Sequence, residues 1–120
     1  MLKQLAMASV KVKDWQAAVA WYREKLGLTA SGLHEDPFCL MKFPDGEAVI
    51  ALDGTGRVEG APGNWHPVVE VDDLGATVAE LKRRGVHFSR ELKASEEGFR
   101  TAMILDPEGN RIELFDHFQA

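Results

Sequence analysis

One pattern occurs twice along these 120 residues, and it restricts the fold more than any other property of the sequence. An alternating apolar stretch, 4–12, precedes an acidic cap, Asp14. A helical stripe follows, with Trp15, Ala18, Val19, Tyr22 and Leu26 spaced for one face. Gly27 closes that helix. Three strand-like stretches come next, 28–33, 38–43 and 47–52, the last two joined by the turn Pro44-Asp45-Gly46. Residues 53–64 hold four glycines and Pro62 without an apolar period, which reads as a linker. The pattern then restarts. Residues 65–71 form a strand, Asp72-Asp73 cap a helix whose stripe is Leu74, Val78 and Leu81, and Gly85 ends it. Strands over 86–92, 98–105 and 110–115 complete the second copy. Each half reads β-α-β-β-β. The expected fold class is α+β, with two tandem βαβββ modules forming a curled mixed sheet around a cleft. Module one spans 1–53, the linker 54–64 and module two 65–120, within a single domain.

Superposing the halves points to a site. Met7 precedes its cap Asp14 by seven residues, and His66 precedes Asp73 by seven. Pro44-Asp45-Gly46 matches Pro107-Glu108-Gly109, and Ile50-Ala51-Leu52 matches Ile112-Glu113-Leu114 with one extra residue in the first half. Strand alternation puts Met7, Ala51, His66 and Glu113 on the face away from the helices, around a common concavity suited to a small molecule. Glu113 stands between apolar neighbours, and such a carboxylate needs a cation, a donor or a metal. His66 is its expected neighbour. A His–Glu pair supports general acid–base chemistry without metal, or serves as an ion pair that fixes the cleft wall. Trp65, Phe38, Phe99 and Phe115 are cleft or rim candidates, and Met7, Met41 and Met103 would give a deformable lining. Arg100 and Arg111 are candidate anion contacts. His117 lies past the last strand and reads as solvated, and His87 shows no partner spacing. Cys39 sits in an apolar strand and reads as a buried, inert thiol.

Charge and composition exclude several classes. The net charge is −5, and the basic cluster Lys82-Arg83-Arg84 falls at a helix C-terminus, where it complements the helix dipole. Nucleic-acid binding is disfavoured. No apolar run approaches the ~20 residues of a membrane span. The start lacks a basic region followed by a long apolar run, so no signal peptide is expected. The single cysteine excludes an internal disulfide and a cysteine-rich zinc site, and the expected setting is cytoplasmic. Dinucleotide, phosphate-loop and nucleophile-elbow motifs are absent from the sequence.

Three segments resemble the vicinal oxygen chelate superfamily, which includes glyoxalase I, bleomycin-resistance proteins, fosfomycin-resistance enzymes and extradiol dioxygenases. They are Val12-Lys13-Asp14-Trp15 through Gly27-Leu28, His66-Pro67-Val68-Val69-Glu70-Val71-Asp72-Asp73-Leu74, and Asp106-Pro107-Glu108-Gly109-Asn110-Arg111-Ile112-Glu113-Leu114. The resemblance covers essentially the whole chain and implies a glyoxalase-like cup. It implies a divalent metal (Fe, Mn, Ni or Zn) held by first-strand and last-strand residues of each module. His66 and Glu113 match the second-module ligands. Met7 and Ala51 stand where the first-module ligands are expected, and a thioether and a methyl group are poor substitutes. His34, Glu35 or a substrate oxygen could complete a partial site. The resemblance further implies a homodimer. Its leading functional expectation is capture of a small organic molecule in an inter-module cleft without a complete metal site. The alternative is a metal-dependent lyase, isomerase or dioxygenase with His66 and Glu113 as ligands.

Overall fold

The computed structural model describes residues 1, 3–31, 37–55 and 65–117. The loop at His34-Glu35-Asp36 and linker residues 56–64 lie outside the described residues. The elements run β1 Met7–Lys11, α1 Trp15–Leu26, β2 Thr29–Ser31, β3 Phe38–Lys42 and β4 Val49–Asp53, then β5 Val68–Glu70, α2 Leu74–Arg83, β6 His87–Ala94, β7 Phe99–Leu105 and β8 Arg111–His117. The chain divides into two compact units, 1–60 and 61–120, each a βαβββ module. The secondary structure is α+β, as the repeat predicts. Among the described residues no helix is long and apolar enough to cross a membrane.

The first module builds a four-stranded mixed sheet in the order β1-β4-β3-β2. β1 runs parallel to β4, and the other pairs are antiparallel. Asp14 caps α1 by accepting a hydrogen bond from Ala17 N at 3.1 Å. Gly27 closes the helix at φ 74°, a conformation glycine adopts without a Cβ penalty. Ala18, Val19 and Tyr22 of the predicted stripe are buried. They lie with Cys39, Met41, Ile50 and Leu52, which register and parity place on the helix-facing side of the sheet. Met41 therefore belongs to the core rather than to a cleft lining. Burial pushes the Cys39 thiol up, which makes it a poor nucleophile.

The second module repeats this plan with the order β5-β8-β7-β6. β5 runs parallel to β8, and β8–β7 and β7–β6 are antiparallel. Asp73 accepts from Ala76 N at 3.1 Å and caps α2. Leu74, Val78 and Leu81 are all buried, with Ala102, Ile104, Ile112 and Leu114 of the sheet. A second carboxylate reaches the start of α2 from β8. Asp116 accepts the Leu74 N–H at 2.6 Å, satisfying a donor that the helix itself leaves without a partner. Arg100 of β7 holds the same carboxylate through Nε at 2.9 Å and through Nη2. The Arg100 hydrogen bonds hold the Asp116 carboxyl below the usual carboxylate range, and the Leu74 N–H adds to that effect.

The turn before β8 is tied from inside. The buried Asp106 carboxylate accepts from Glu108 N at 2.9 Å, Asn110 N at 2.8 Å and Asn110 Nδ2 at 2.9 Å. Gly109 sits at φ 83°. This geometry fixes where β8 begins, and hence the phase in which Ile112 and Leu114 face α2 while Arg111, Glu113 and Phe115 face away.

Candidate functional site

On the helix-distal face of the second sheet, four strands bring their side chains into rows. Val68 pairs with Glu113, Glu113 with Met103, and Met103 with Arg90. One row further along, Glu70 pairs with Phe115, Phe115 with Thr101 and Thr101 with Lys93. His66 joins the first row from outside the ladder. The sequence pattern puts a strand at 65–71, but the ladder begins at Val68. Pro67 has no N–H to donate, and its carbonyl nonetheless accepts from Glu113 N at 3.0 Å. That bond seats His66 beside Glu113. His66 Nε2 lies 2.9 Å from Glu113 Oε1, and the imidazole donates in the tautomer protonated at Nε2.

Glu113 has a second neighbour that the sequence reading missed. Arg90 Nη2 approaches Glu113 Oε2 at 3.7 Å and donates to Thr101 Oγ1 at 2.8 Å. Arg90 and Glu113 stand two strands apart in one row, so the arginine side chain spans Met103, which is buried. The His66, Glu113 and Arg90 side chains keep 26%, 21% and 35% of their surface exposed, enough for contact with a ligand.

A cavity of about 230 Å³ adjoins this cluster, lined by Val68, Phe99, Thr101, Glu113, Phe115 and His117. His117, read from sequence as merely solvated, forms part of this wall and meets the Phe115 ring edge-on, with centroids 5.5 Å apart. A larger depression of about 550 Å³ opens at the start of α1, beside Lys13, Asp14, Trp15, Gln16 and Pro37. Among the described residues its wall carries no histidine or cysteine, and the carboxylate there, Asp14, is already engaged as the helix cap. The smaller cavity is the better candidate because it adjoins the polar cluster.

The other predicted site residues are dispersed. Phe99 and Phe115 share the cavity wall. Arg100, next to Phe99, points to the opposite face and is engaged with Asp116 and Asp73. Trp65 is 94% exposed ahead of β5. In the first module the register reproduces the superposition of the halves. Ala51 pairs with Ser9 as Glu113 pairs with Val68, and Met7 and His66 each stand two residues earlier. Met7 and Phe38 are exposed, whereas Ala51 is fully buried.

A family model, the Glyoxalase/Bleomycin resistance protein/Dioxygenase superfamily, matches residues 4–114. The chain belongs to this superfamily. Several solved structures share the glyoxalase-like fold. TnmS3, an antibiotic binding protein from Streptomyces sp. CB03234, is 25% identical with a TM-score of 0.82, over 97% of each chain. A superfamily member from Sphaerobacter thermophilus DSM 20745 is 20% identical with a TM-score of 0.81, over 97% of this chain and 98% of that one. Lactoylglutathione lyase from Agrobacterium tumefaciens is 19% identical with a TM-score of 0.78, over 96% and 94%. The last two likenesses concern the fold alone. No curated protein matches the chain.

A glyoxalase-like fold raises the question of a metal. His66 and Glu113 are chemically competent ligands. Among the described residues, however, no group of three or more His, Cys, Asp or Glu side chains converges on a point that could hold an ion. A catalytic site ordinarily uses three protein ligands and an open position. The Arg90 guanidinium also stands 3.7 Å from Glu113 Oε2, where its charge opposes a divalent cation at that carboxylate. Among the described residues, the donor set falls short of a catalytic metal centre.

Proposed function

We propose that this glyoxalase/bleomycin-resistance-like chain captures a small organic molecule on the helix-distal face of its second module, without an obligatory metal. The observation that carries this reading is the cavity beside Glu113. Val68, Phe99 and Phe115 supply an apolar wall, and Thr101, Glu113 and His117 supply polar groups at its border. That is the usual composition of a small-molecule site, in which apolar contact gives affinity and a few polar groups give orientation. The His66–Glu113 pair holds the polar end. His66 holds one carboxylate oxygen and the Arg90 guanidinium stands near the other, which fixes Glu113 at the polar end of the cavity. The likeness to TnmS3, described as an antibiotic binding protein, supports capture over turnover. A cytoplasmic setting and a homodimer belong to the same reading, and sedimentation analysis checks the second.

The test uses a neutral fluorescent probe, phenylnaphthylamine, with protein purified without a histidine tag and treated with chelator. Saturable binding is expected at one site per chain. Phe115→Ala should weaken it about tenfold, the ~1.4 kcal/mol expected for losing one good aromatic contact. Non-saturable binding, or equal binding by the variant, would falsify the reading. Binding that requires a restored divalent ion, and is lost in both His66→Ala and Glu113→Ala, would instead establish the metal-dependent lyase, isomerase or dioxygenase.

A further inference from the structure

Strand β6 carries two irregularities, one between Phe88 and Arg90 and one between Arg90 and Lys93. Their effect on side-chain direction follows from the register. Phe88 pairs with Ile104, which belongs to the helix-facing core, and Lys82 of α2 stands over the Phe88 ring. Two residues later, plain alternation would aim Arg90 to the same side. Arg90 pairs instead with Met103, the next residue of β7, and so lies on the helix-distal face. The second irregularity places Lys93 opposite Thr101 on that face, and Ala94 returns to pair with Arg100. Bulges commonly re-aim one side chain beside a functional site. Here two bulges bring Arg90 and Lys93 to the face that carries the aromatic cavity, where Arg90 reaches the lining residue Thr101.

Arg90 is incompletely satisfied where it lands. Its Nη2 donates to the neutral Thr101 hydroxyl, and its carboxylate neighbour Glu113 stays beyond hydrogen-bond distance at 3.7 Å. Its Nε is buried with no hydrogen-bond partner among the described residues. A buried donor without an acceptor is costly and uncommon, and functional sites are one place where it is found. The two rows carry Arg90 and Lys93 against Glu113 and Glu70, so the case for an anion rests on the unsatisfied Arg90 guanidinium and not on a net positive charge.

We propose that Arg90 is the specificity-determining residue of this face and selects aromatic anions. The ligand's ring system would lie over Phe99 and Phe115, and its carboxylate, sulfonate or phenolate oxygen would be taken by the guanidinium. Arginine suits this role because its planar fork matches such groups and its charge is permanent. The inference rests on the capture reading above and adds the charge class of the ligand.

Two probes of similar ring structure separate the possibilities, anilinonaphthalene sulfonate as the anion and neutral phenylnaphthylamine. Arg90→Gln is expected to weaken sulfonate binding about tenfold and to leave the neutral probe within about twofold. Arg90→Lys should recover part of the sulfonate affinity. In the unmodified protein, the Arg90 Nε–H resonance in a proton–nitrogen correlation spectrum should shift on adding the sulfonate and stay in place with the neutral probe. That measurement does not depend on any variant folding. Equal weakening of both probes by Arg90→Gln, or a static Nε resonance while Phe99 and Phe115 amides shift, overturns the Arg90 assignment and leaves the capture reading standing. If neither probe moves resonances on β7 and β8, the capture reading fails and the Arg90 assignment fails with it.

Discussion

Asp116 shows how much structure one carboxylate can hold in this chain. It sits on β8, is fixed by Arg100 of β7, and accepts the first N–H of α2. Asp116→Asn keeps the volume and removes the charge, leaving Arg100 without its hydrogen-bonded counter-ion. Urea unfolding at neutral pH should show a loss of about 2 kcal/mol. The pH dependence has a definite sign. Because Arg100 depresses the folded-state value of Asp116, the contribution is complete above the unfolded carboxyl value of about 4 and is lost as pH falls through the lower folded value. Wild type should therefore lose more stability than Asp116→Asn between neutral pH and strong acid, and parallel curves would show that Asp116 has no such role. Little of this was legible in the sequence. The phase of the last strand, with Ile112 and Leu114 facing the helix, assigns Asp116 to the buried side, but nothing in the spacing identifies Arg100 as its partner. Arg100 was read as an anion contact for a ligand, and its anion is internal. The His66–Glu113 contact, by contrast, followed from superposing the halves, because parallel neighbours bring fixed positions together.

The helices were the most readable elements. Asp14 and Asp73 cap them as expected, the α2 stripe is buried throughout, and the α1 stripe is buried at Ala18, Val19 and Tyr22 and half-buried at Trp15 and Leu26. Turns were readable in part. The two turns were located by their Pro-acid-Gly sequences, and Gly46 and Gly109 adopt positive φ there, but the tie across the second turn comes from the Asp106 carboxylate, whose accepted hydrogen bonds depend on backbone geometry that a sequence does not display. Asp106→Ala is expected to cost about 2 kcal/mol, since it strands two backbone donors. Gly109→Ala should cost about 1 kcal/mol because alanine resists that φ. Denaturant midpoints measure both, and an unchanged midpoint in Asp106→Ala would show that the turn is held by Pro107 and Gly109 alone. Arg90 of β6 went unremarked for a physical reason. Alternation assumes one residue opposite one residue, and a bulge breaks that count without a compositional mark. One signal was present. Arg90 stands in phase with Phe88 and Leu92, and a charged residue in an apolar phase is either poorly placed or on the other face.

The two modules share one plan and differ in what their equivalent positions carry. Asp14 and Asp73, Gly46 and Gly109, and the parallel pairing of first and last strands are retained in both. These are the features that the backbone requires, and they made the fold legible. The positions that the resemblance assigns to ligands are not required by the backbone, and there the halves diverge, with Met7 and Ala51 in one and His66 and Glu113 in the other. In the second module an arginine stands beside the carboxylate, a cation built into the protein where the family resemblance implies a metal ion. This substitution leads to a thermodynamic expectation. A ligand that binds only the native state stabilises it by RT ln(1 + [L]/Kd), so about 1 mM of an ion held with a Kd of about 10 μM would contribute about 2.7 kcal/mol. For a chain of this size that corresponds to a rise of roughly 10 °C in melting temperature. Adding Mn, Fe, Ni or Zn salts to chelator-treated protein should leave the melting temperature unchanged within about 1 °C on the same scale. A rise near 10 °C that disappears in Glu113→Gln would mean that Arg90 yields its place to a metal, and the anion-selective cavity would have to be replaced by a cation site.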